Sequence, residues 1–418
     1  MAKVAFLSPM PPAETGVATY AASVLRQLRD SPHRVEPLWP IRRDADRTVW
    51  EADLAVYHVG NNVRFHRDIY TLAIRHPGLV VLHDLALDDL VAGLIELEDP
   101  LGPRTRLEAQ EAAPRLQGSG LELDPPLRTP WPALIARRAR GIIVHSEFAR
   151  RYLEAFGCRT PVFVAPHTAF EEPGGLRMRR AQRRVAGRLG EGGAPLVGVL
   201  GDVGGAKGID AVLRASRLIE DPHRLAVVGR RIPGFDAAAA VRAAGVAGRT
   251  LIAEDVTDHE FWAWLRACDV VINLRYPHRG EVSGTLARAM QVGKPTIVSG
   301  VGTYLDLPEG TVVPVPAGPA DPVEIARALR GLLRDPDERE TIGRRARDHV
   351  EDLRRTREAA RVYTLAIDET LALMRDPARA AVARWAGALT DLGASSDNLR
   401  AGLGARYLDA MEELEPRA

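Results

Sequence analysis

The stretch from residue 270 to 298 opens Val270-Val271-Ile272-Asn273-Leu274 and runs through Arg275-Tyr276-Pro277-His278-Arg279-Gly280-Glu281-Val282. It continues Ser283-Gly284-Thr285-Leu286-Ala287-Arg288-Ala289-Met290, and Gly293-Lys294-Pro295 and Thr296-Ile297-Val298 complete it. A β-branched run ending in a polar loop, a helix that opens on Ser, and a Gly-Lys-Pro turn before a second β-branched run read as strand, crossover helix, strand. Strands joined through a helix lie parallel. Glu281 sits at the tip of the loop, and the helix beginning near Ser283 points free N–H groups and a positive dipole end the same way.

The alternation recurs along the chain. Strand-like runs fall at residues 4–7, 54–59, 79–82, 142–144 and 162–164, then at 196–200, 225–228, 250–252, 270–274 and 296–298, with a further one at 312–315. Helical stretches separate them, which predicts an α/β fold built on parallel sheets. Between the two sets, residues 171–195 hold Glu171-Glu172-Pro173-Gly174-Gly175, an Arg-rich stretch and Gly192-Gly193-Ala194-Pro195, the composition of a linker. A chain of 418 residues exceeds one hydrophobic core. The expected division is an N-terminal domain at 1–175, a linker at 176–194, a C-terminal domain at 195–375 and a helical extension at 376–418, with helices at 380–392 and 399–414. Residues 85–131 read as an insert, helical and then proline-rich, that either shapes a binding site or is a surface excursion.

Composition narrows the function. Hydrophobic residues at 46% supply packed interiors and set disorder aside, and a net charge of +1 argues against a dedicated nucleic-acid binder. Lys occurs only at 3, 207 and 294, so 53 of the 56 basic residues are Arg. A Lys kept in such a chain marks a place that suits a compact point charge. Cys158 and Cys268 match no metal or redox spacing and fit a reducing cytoplasm. No run of about 18 apolar residues is present to span a bilayer. The expectation is a cytoplasmic protein, soluble or peripheral to the inner face of the membrane. Arg clusters at 137–140 and 177–184 either attract a lipid-linked acceptor at an anionic surface or form a solvated face.

Three further segments carry candidate chemistry. Pro9 to Tyr20 is a loop with Gly16 where a helix begins, either a phosphate or sugar contact or a tight turn. Gly198 to Asp210 is a strand running into a glycine-rich loop with Lys207, a cation placed to neutralise a departing diphosphate. It fits neither a P-loop nor a three-glycine dinucleotide fingerprint. Val80-Val81-Leu82-His83-Asp84 and Tyr57-His58-Val59-Gly60-Asn61-Asn62 end two strands in polar groups, where open α/β sheets hold ligands. At the first-quoted stretch, Glu281 has the chemistry to accept hydrogen bonds from sugar hydroxyls while the amides of Val282, Ser283, Gly284 and Thr285 meet phosphate oxygens. Equally, Glu281 reads as a helix-capping acid.

Glu281 with Gly284, Ala289-Met290 and Gly293-Lys294-Pro295, together with Lys207, Val228-Gly229-Arg230 and Val256-Thr257-Asp258-His259-Glu260, resembles the retaining glycosyltransferases of family four over most of residues 1–365. The resemblance implies the GT-B fold: two Rossmann-like domains facing across a cleft, here with C-terminal helices packing back on the N-terminal domain. It implies a hexosyltransferase of the polysaccharide-biosynthesis type, using a nucleoside-diphosphate sugar and a glycan, lipid-linked or other hydroxyl acceptor. No metal or separate cofactor is expected. Glu281, Lys207 and His83 are the expected catalytic residues. Gly16, Arg230, Val256, Arg275, Arg279 and the 282–285 amides are expected on the donor, and His83, Asp84 and Asn61 on the acceptor side. This chain departs from the family at two places: Arg288 replaces a second glutamate, with one residue fewer between, and Asp202 replaces an arginine five residues before the lysine. Those departures keep open a non-catalytic GT-B protein that binds a nucleotide sugar or a partner.

Overall fold

A computed structural model describes residues 1–167, 170–190 and 192–375; the helices expected at 380–392 and 399–414 lie outside the described residues. Met1–Ile367 forms one compact unit, and of the second, Asp368–Ala418, the described part completes the helix Glu358–Arg375. The larger unit holds two six-stranded sheets. The first comprises β1 (Lys3–Leu7), β2 (Arg34–Leu38), β3 (Leu54–Val59), β4 (Leu79–Leu82), β5 (Gly141–Val144) and β6 (Val162–Val164), in the order β2-β1-β3-β4-β5-β6. The second comprises β7 (Leu196–Val203), β8 (Arg224–Arg231), β9 (Thr250–Glu254), β10 (Val270–Asn273), β11 (Thr296–Ser299) and β12 (Val313–Val315), in the order β12-β11-β10-β7-β8-β9. Neighbouring strands are parallel throughout, as crossover helices require.

In each sheet the strand order reverses once, between β1 and β3 and between β10 and β7. Open α/β sheets bind ligands beyond the carboxyl ends of the strands at such reversals. The loops leaving β1, β3, β7 and β10 carry Gly16, Asn61, Lys207 and Glu281, so topology alone gathers four of the sequence candidates at two crevice mouths.

Two local differences from the sequence reading have physical causes. β2 was not expected, because Arg34-Val35-Glu36-Pro37-Leu38 lacks an apolar run and holds a proline; it lies at the sheet edge, where a missing N–H is tolerated. Residues 175–189, read as linker, instead form a helix, Gly175–Leu189. Met178, Ala181 and Val185 are its buried residues, and they pack with Trp262 and Trp264, which are 0% and 1% exposed. Truncating a tryptophan so buried costs roughly 3–5 kcal/mol, so this helix belongs to the core of the C-terminal sheet.

Beyond residue 355 the chain returns to the N-terminal half, in a segment read from sequence as part of the C-terminal domain; the extension at 376–418 lies outside the described residues. Arg357 pairs with Asp30 at 2.9 Å, and the hydroxyls of Tyr363 and Tyr20 lie 3.2 Å apart.

Candidate functional site

The carboxyl ends of the two sheets face a cleft of about 890 Å³, within the usual range for small-molecule sites. On its C-terminal wall, β7 and β8 approach so closely that side chains are excluded. Gly229 has φ 148°, and a Cβ there would lie 1.7 Å from the Gly201 carbonyl oxygen; a Cβ on Gly201 would crowd Lys207 Nζ and Thr285 Oγ1. Gly208 then adopts φ 62° to start the helix Ile209–Arg217. This turn folds Lys207 inward, leaving it 2% exposed, with Nζ donating to Asn273 Oδ1 at 2.8 Å. Burial, and after it the neighbouring Arg275 guanidinium, hold the Lys207 ammonium well below the ordinary lysine range; Asp202 and Glu281 pull the other way.

Glu281 is fixed from two sides. Arg275 Nε lies 3.1 Å from Oε1, and the backbone N–H of Arg279 donates to Oε2 at 2.8 Å. Ser283 Oγ accepts the Leu286 N–H at 3.2 Å and caps the helix Gly284–Gln291, whose first turn borders the cleft with Val282, Gly284 and Thr285. Arg230 also lines the cleft, ion-paired to Asp202 at 2.9 Å and donating to the Glu14 carbonyl at 3.3 Å. A cation therefore stands beside Asp202 after all, supplied by β8 rather than β7.

Val256 and Thr257 border the cleft too, and Thr257 with Glu260 forms the capping box that opens the helix Asp258–Ala267. Arg288 is stacked 4.4 Å from the Phe170 ring and lies 3.6 Å from Asp258, so the side chain in the missing glutamate's place turns to aromatic packing and a second carboxylate.

The N-terminal wall is made differently. Gly16 starts the helix Gly16–Gln27, with no side chain capping it. His83 borders the cleft at the end of β4, its Nε2 2.9 Å from His58 Nδ1 and its ring 5.2 Å from Tyr20. Burial, reinforced by His145 and His58, holds the His83 imidazole well below its ordinary value, and hence neutral. Asp84 accepts the Asn61 N–H at 2.9 Å; burial, then the facing Glu281 carboxylate, pushes its pKa up to about 7.

Three candidates stand apart from the cleft lining, among them Ser283, which is 1% exposed and spent on capping its helix. The Asn61 side chain is spent on Asp88, Asp89 and the Leu90 N–H, so Asn61 serves the site through its backbone. Arg279 reaches across to the other half, its guanidinium on Asp88 and Asp89 and its carbonyl accepting from the N–H groups of Leu85 and Ala86 at 3.1 and 3.0 Å. Sequence reasoning missed Tyr20, His145, Asn273 and Phe170. Tyr20, on the helix Gly16–Gln27, and His145, just after β5, line the cleft, while Asn273 ends β10 buried against Lys207; Tyr20 and Asn273 fall inside quoted segments, but nothing in the spacing singled out their side chains.

Residues 194–335, which hold most of the C-terminal wall, match the family model described as Glycosyl transferases group 1. The 2-deoxystreptamine glucosyltransferase of Streptomyces kanamyceticus is 30% identical over 222 residues, 50% of this chain and 56% of that relative, so the match spans little more than half of the relative's length. Among solved structures, sucrose-phosphate synthase from Thermosynechococcus elongatus superposes with a TM-score of 0.58 at 18% identity, covering 84% of this chain and 95% of that one. Anabaena HepE in complex with UDP and glucose gives a TM-score of 0.58 at 16% identity, covering 89% and 100%. Identities this low speak to fold, and the fold is GT-B: two parallel α/β halves across a cleft. No helix among the described residues is long and apolar enough to cross a membrane.

Proposed function

We propose that this chain is a retaining hexosyltransferase that moves a sugar from a nucleoside diphosphate to a hydroxyl acceptor. The observation that carries the reading is the convergence, in one cleft, of a buried lysine, the capped N-terminus of the helix Gly284–Gln291 and the anchored Glu281. Breaking the bond between the anomeric carbon and the diphosphate leaves the bonding electron pair, and one further negative charge, on the departing diphosphate. Lys207, Arg275 and the helix amides are preorganised donors for it, and in a cleft that excludes water such donors are worth far more than in solvent. Glu281 accepts hydrogen bonds from the sugar's hydroxyls, and neutral His83 offers an uncharged partner across the cleft. The cations of the site carry the diphosphate's charge in this reading, which calls for no metal.

The match to Glycosyl transferases group 1 over the C-terminal wall supports the reaction class, and a neighbour bound to UDP and glucose supports a uridine donor. The relative's named acceptor, 2-deoxystreptamine, puts small polyols on trial beside glycans and lipid-linked sugars, the last of these at the inner face of a membrane.

The test is a thermal-shift and donor-hydrolysis screen against uridine, guanosine and adenosine diphosphate sugars, run beside Lys207→Ala and Glu281→Ala. One donor class should raise the melting temperature, with slow hydrolysis lost in both variants. Stabilisation without turnover under any acceptor would favour a non-catalytic nucleotide-sugar binder, and no response to any donor would end the donor-site reading.

A further inference from the structure

We propose that Asn273 is the positioning residue of the diphosphate site, a neutral amide that orients the Lys207 ammonium and the N-terminus of the helix Gly284–Gln291 together while leaving the lysine's charge unspent. The inference rests on the reading of the cleft as a donor site.

Asn273 ends β10 and is 0% exposed. An ammonium only donates, so the atom 2.8 Å from Lys207 Nζ must be the carbonyl oxygen Oδ1, and the amide's orientation follows from chemistry. That turns Nδ2 towards Ser283 Oγ at 3.0 Å. Ser283 Oγ is the acceptor that caps the helix through the Leu286 N–H, and its own proton reaches back to Asn273 Oδ1 at 3.3 Å. One side chain from the strand end thus ties the lysine of the β7 loop to the helix that follows β10. These are the two features with positive charge or dipole to offer a phosphate.

The neutrality of that tie is what the site requires. The carboxylates nearest in the cleft are taken: Asp202 by Arg230 at 2.9 Å and Glu281 by Arg275 at 3.1 Å. Lys207 takes part in no ion pair among the described residues. Oδ1 occupies one of its three donor positions and leaves two for an anion. An aspartate of the same shape would orient the lysine equally well, but would neutralise it and forfeit the donor to Ser283. A small apolar residue would leave a buried ammonium with no acceptor, at the full desolvation cost.

The experiment measures binding of inorganic pyrophosphate, which has no base or sugar, and of UDP to the full chain by calorimetry. Asn273→Asp should weaken pyrophosphate about thirtyfold near neutral pH, with the melting temperature unchanged or raised. As pH rises, the wild-type advantage should shrink, because the wild-type lysine, depressed by its burial, loses its proton before the carboxylate-paired one does. A merely structural asparagine would not give that convergence. Should Asn273→Asp fail to fold, Asn273→Ala carries the test: about tenfold weaker pyrophosphate binding in the wild-type background, but under about twofold in Lys207→Gln. Equal losses in both backgrounds, or an Asn273→Asp protein that binds like wild type at all pH, would overturn the assignment. Wild-type protein that binds neither probe would instead overturn the donor-site reading, and the role of Asn273 with it.

Discussion

Where the N-terminal sheet meets the cleft, the side chains are His83, His58, His145 and Tyr20, imidazoles and a phenol packed ring against ring at 4.8–6.2 Å. Where the C-terminal sheet meets it, they are Lys207, held by Asn273, the pair Arg275 and Glu281, and Arg230, paired with Asp202. Apart from the exposed Arg230, both walls are buried or half-buried, yet burial acts on them in opposite ways. Histidines under desolvation shed their protons and become neutral hydrogen-bonding surfaces, whereas arginines keep their charge and must be paired. The contrast separates the proposed reaction into a wall that meets hydroxyls and a wall that meets phosphates.

The largest effect should come from the charged wall. Lys207→Met removes a preorganised cation, and kcat/KM for the identified donor should fall by about 10²–10³ with little change in melting temperature. A loss confined to KM would mean that the lysine binds the ground state alike, and would blur the distinction between the walls.

The two walls were unequally legible in the sequence. Lys207 stood out because the chain otherwise uses Arg, and Glu281 because strand, loop and helix around it are contiguous. Most strands were legible from short β-branched runs; β2 was not, since Arg34, Glu36 and Pro37 belong to a sheet edge. The helix Gly175–Leu189 hid its periodicity: three buried residues, Met178, Ala181 and Val185, are outnumbered by arginines. The neutral wall is assembled from residues 20, 58, 83, 145 and 363, which no spacing relates. Asn273 was equally silent, because a buried polar residue at a strand end declares itself only through partners 66 and 10 positions away.

A second effect should appear in stability against acid. His66 and His145, 1% and 8% exposed, have pKa values lowered to about 4 by burial. The unfolded chain takes up these protons near 6.5 and the folded chain only near 4, so stability is lost as pH falls through that window, by at most about 3 kcal/mol for each histidine. His145→Asn should flatten the fall in melting temperature between about pH 6.5 and about pH 4. An unchanged slope would mean that the ring is already charged and the wall is not neutral.

The smallest effect has the opposite sign. Asp84, raised to about 7, keeps its proton when folded while the unfolded chain gives it up near 3.8. Stability from this group is present below pH 3.8 and lost as pH rises through 7. Asp84→Asn should therefore be relatively more stable than wild type at about pH 8 than at about pH 5, by up to about 2 kcal/mol, seen as a melting-temperature difference that widens with pH. A constant difference would place Asp84 with the permanently ionised groups of the opposite wall.

The carbonyl of Arg279 takes two N–H groups from the other half, while the N–H of the same residue holds Glu281. One peptide segment is thus both a fastening between the halves and the seat of the carboxylate. Any motion that parted the halves at Arg279 would therefore also shift the segment that holds the Glu281 carboxylate, so the two events are mechanically coupled.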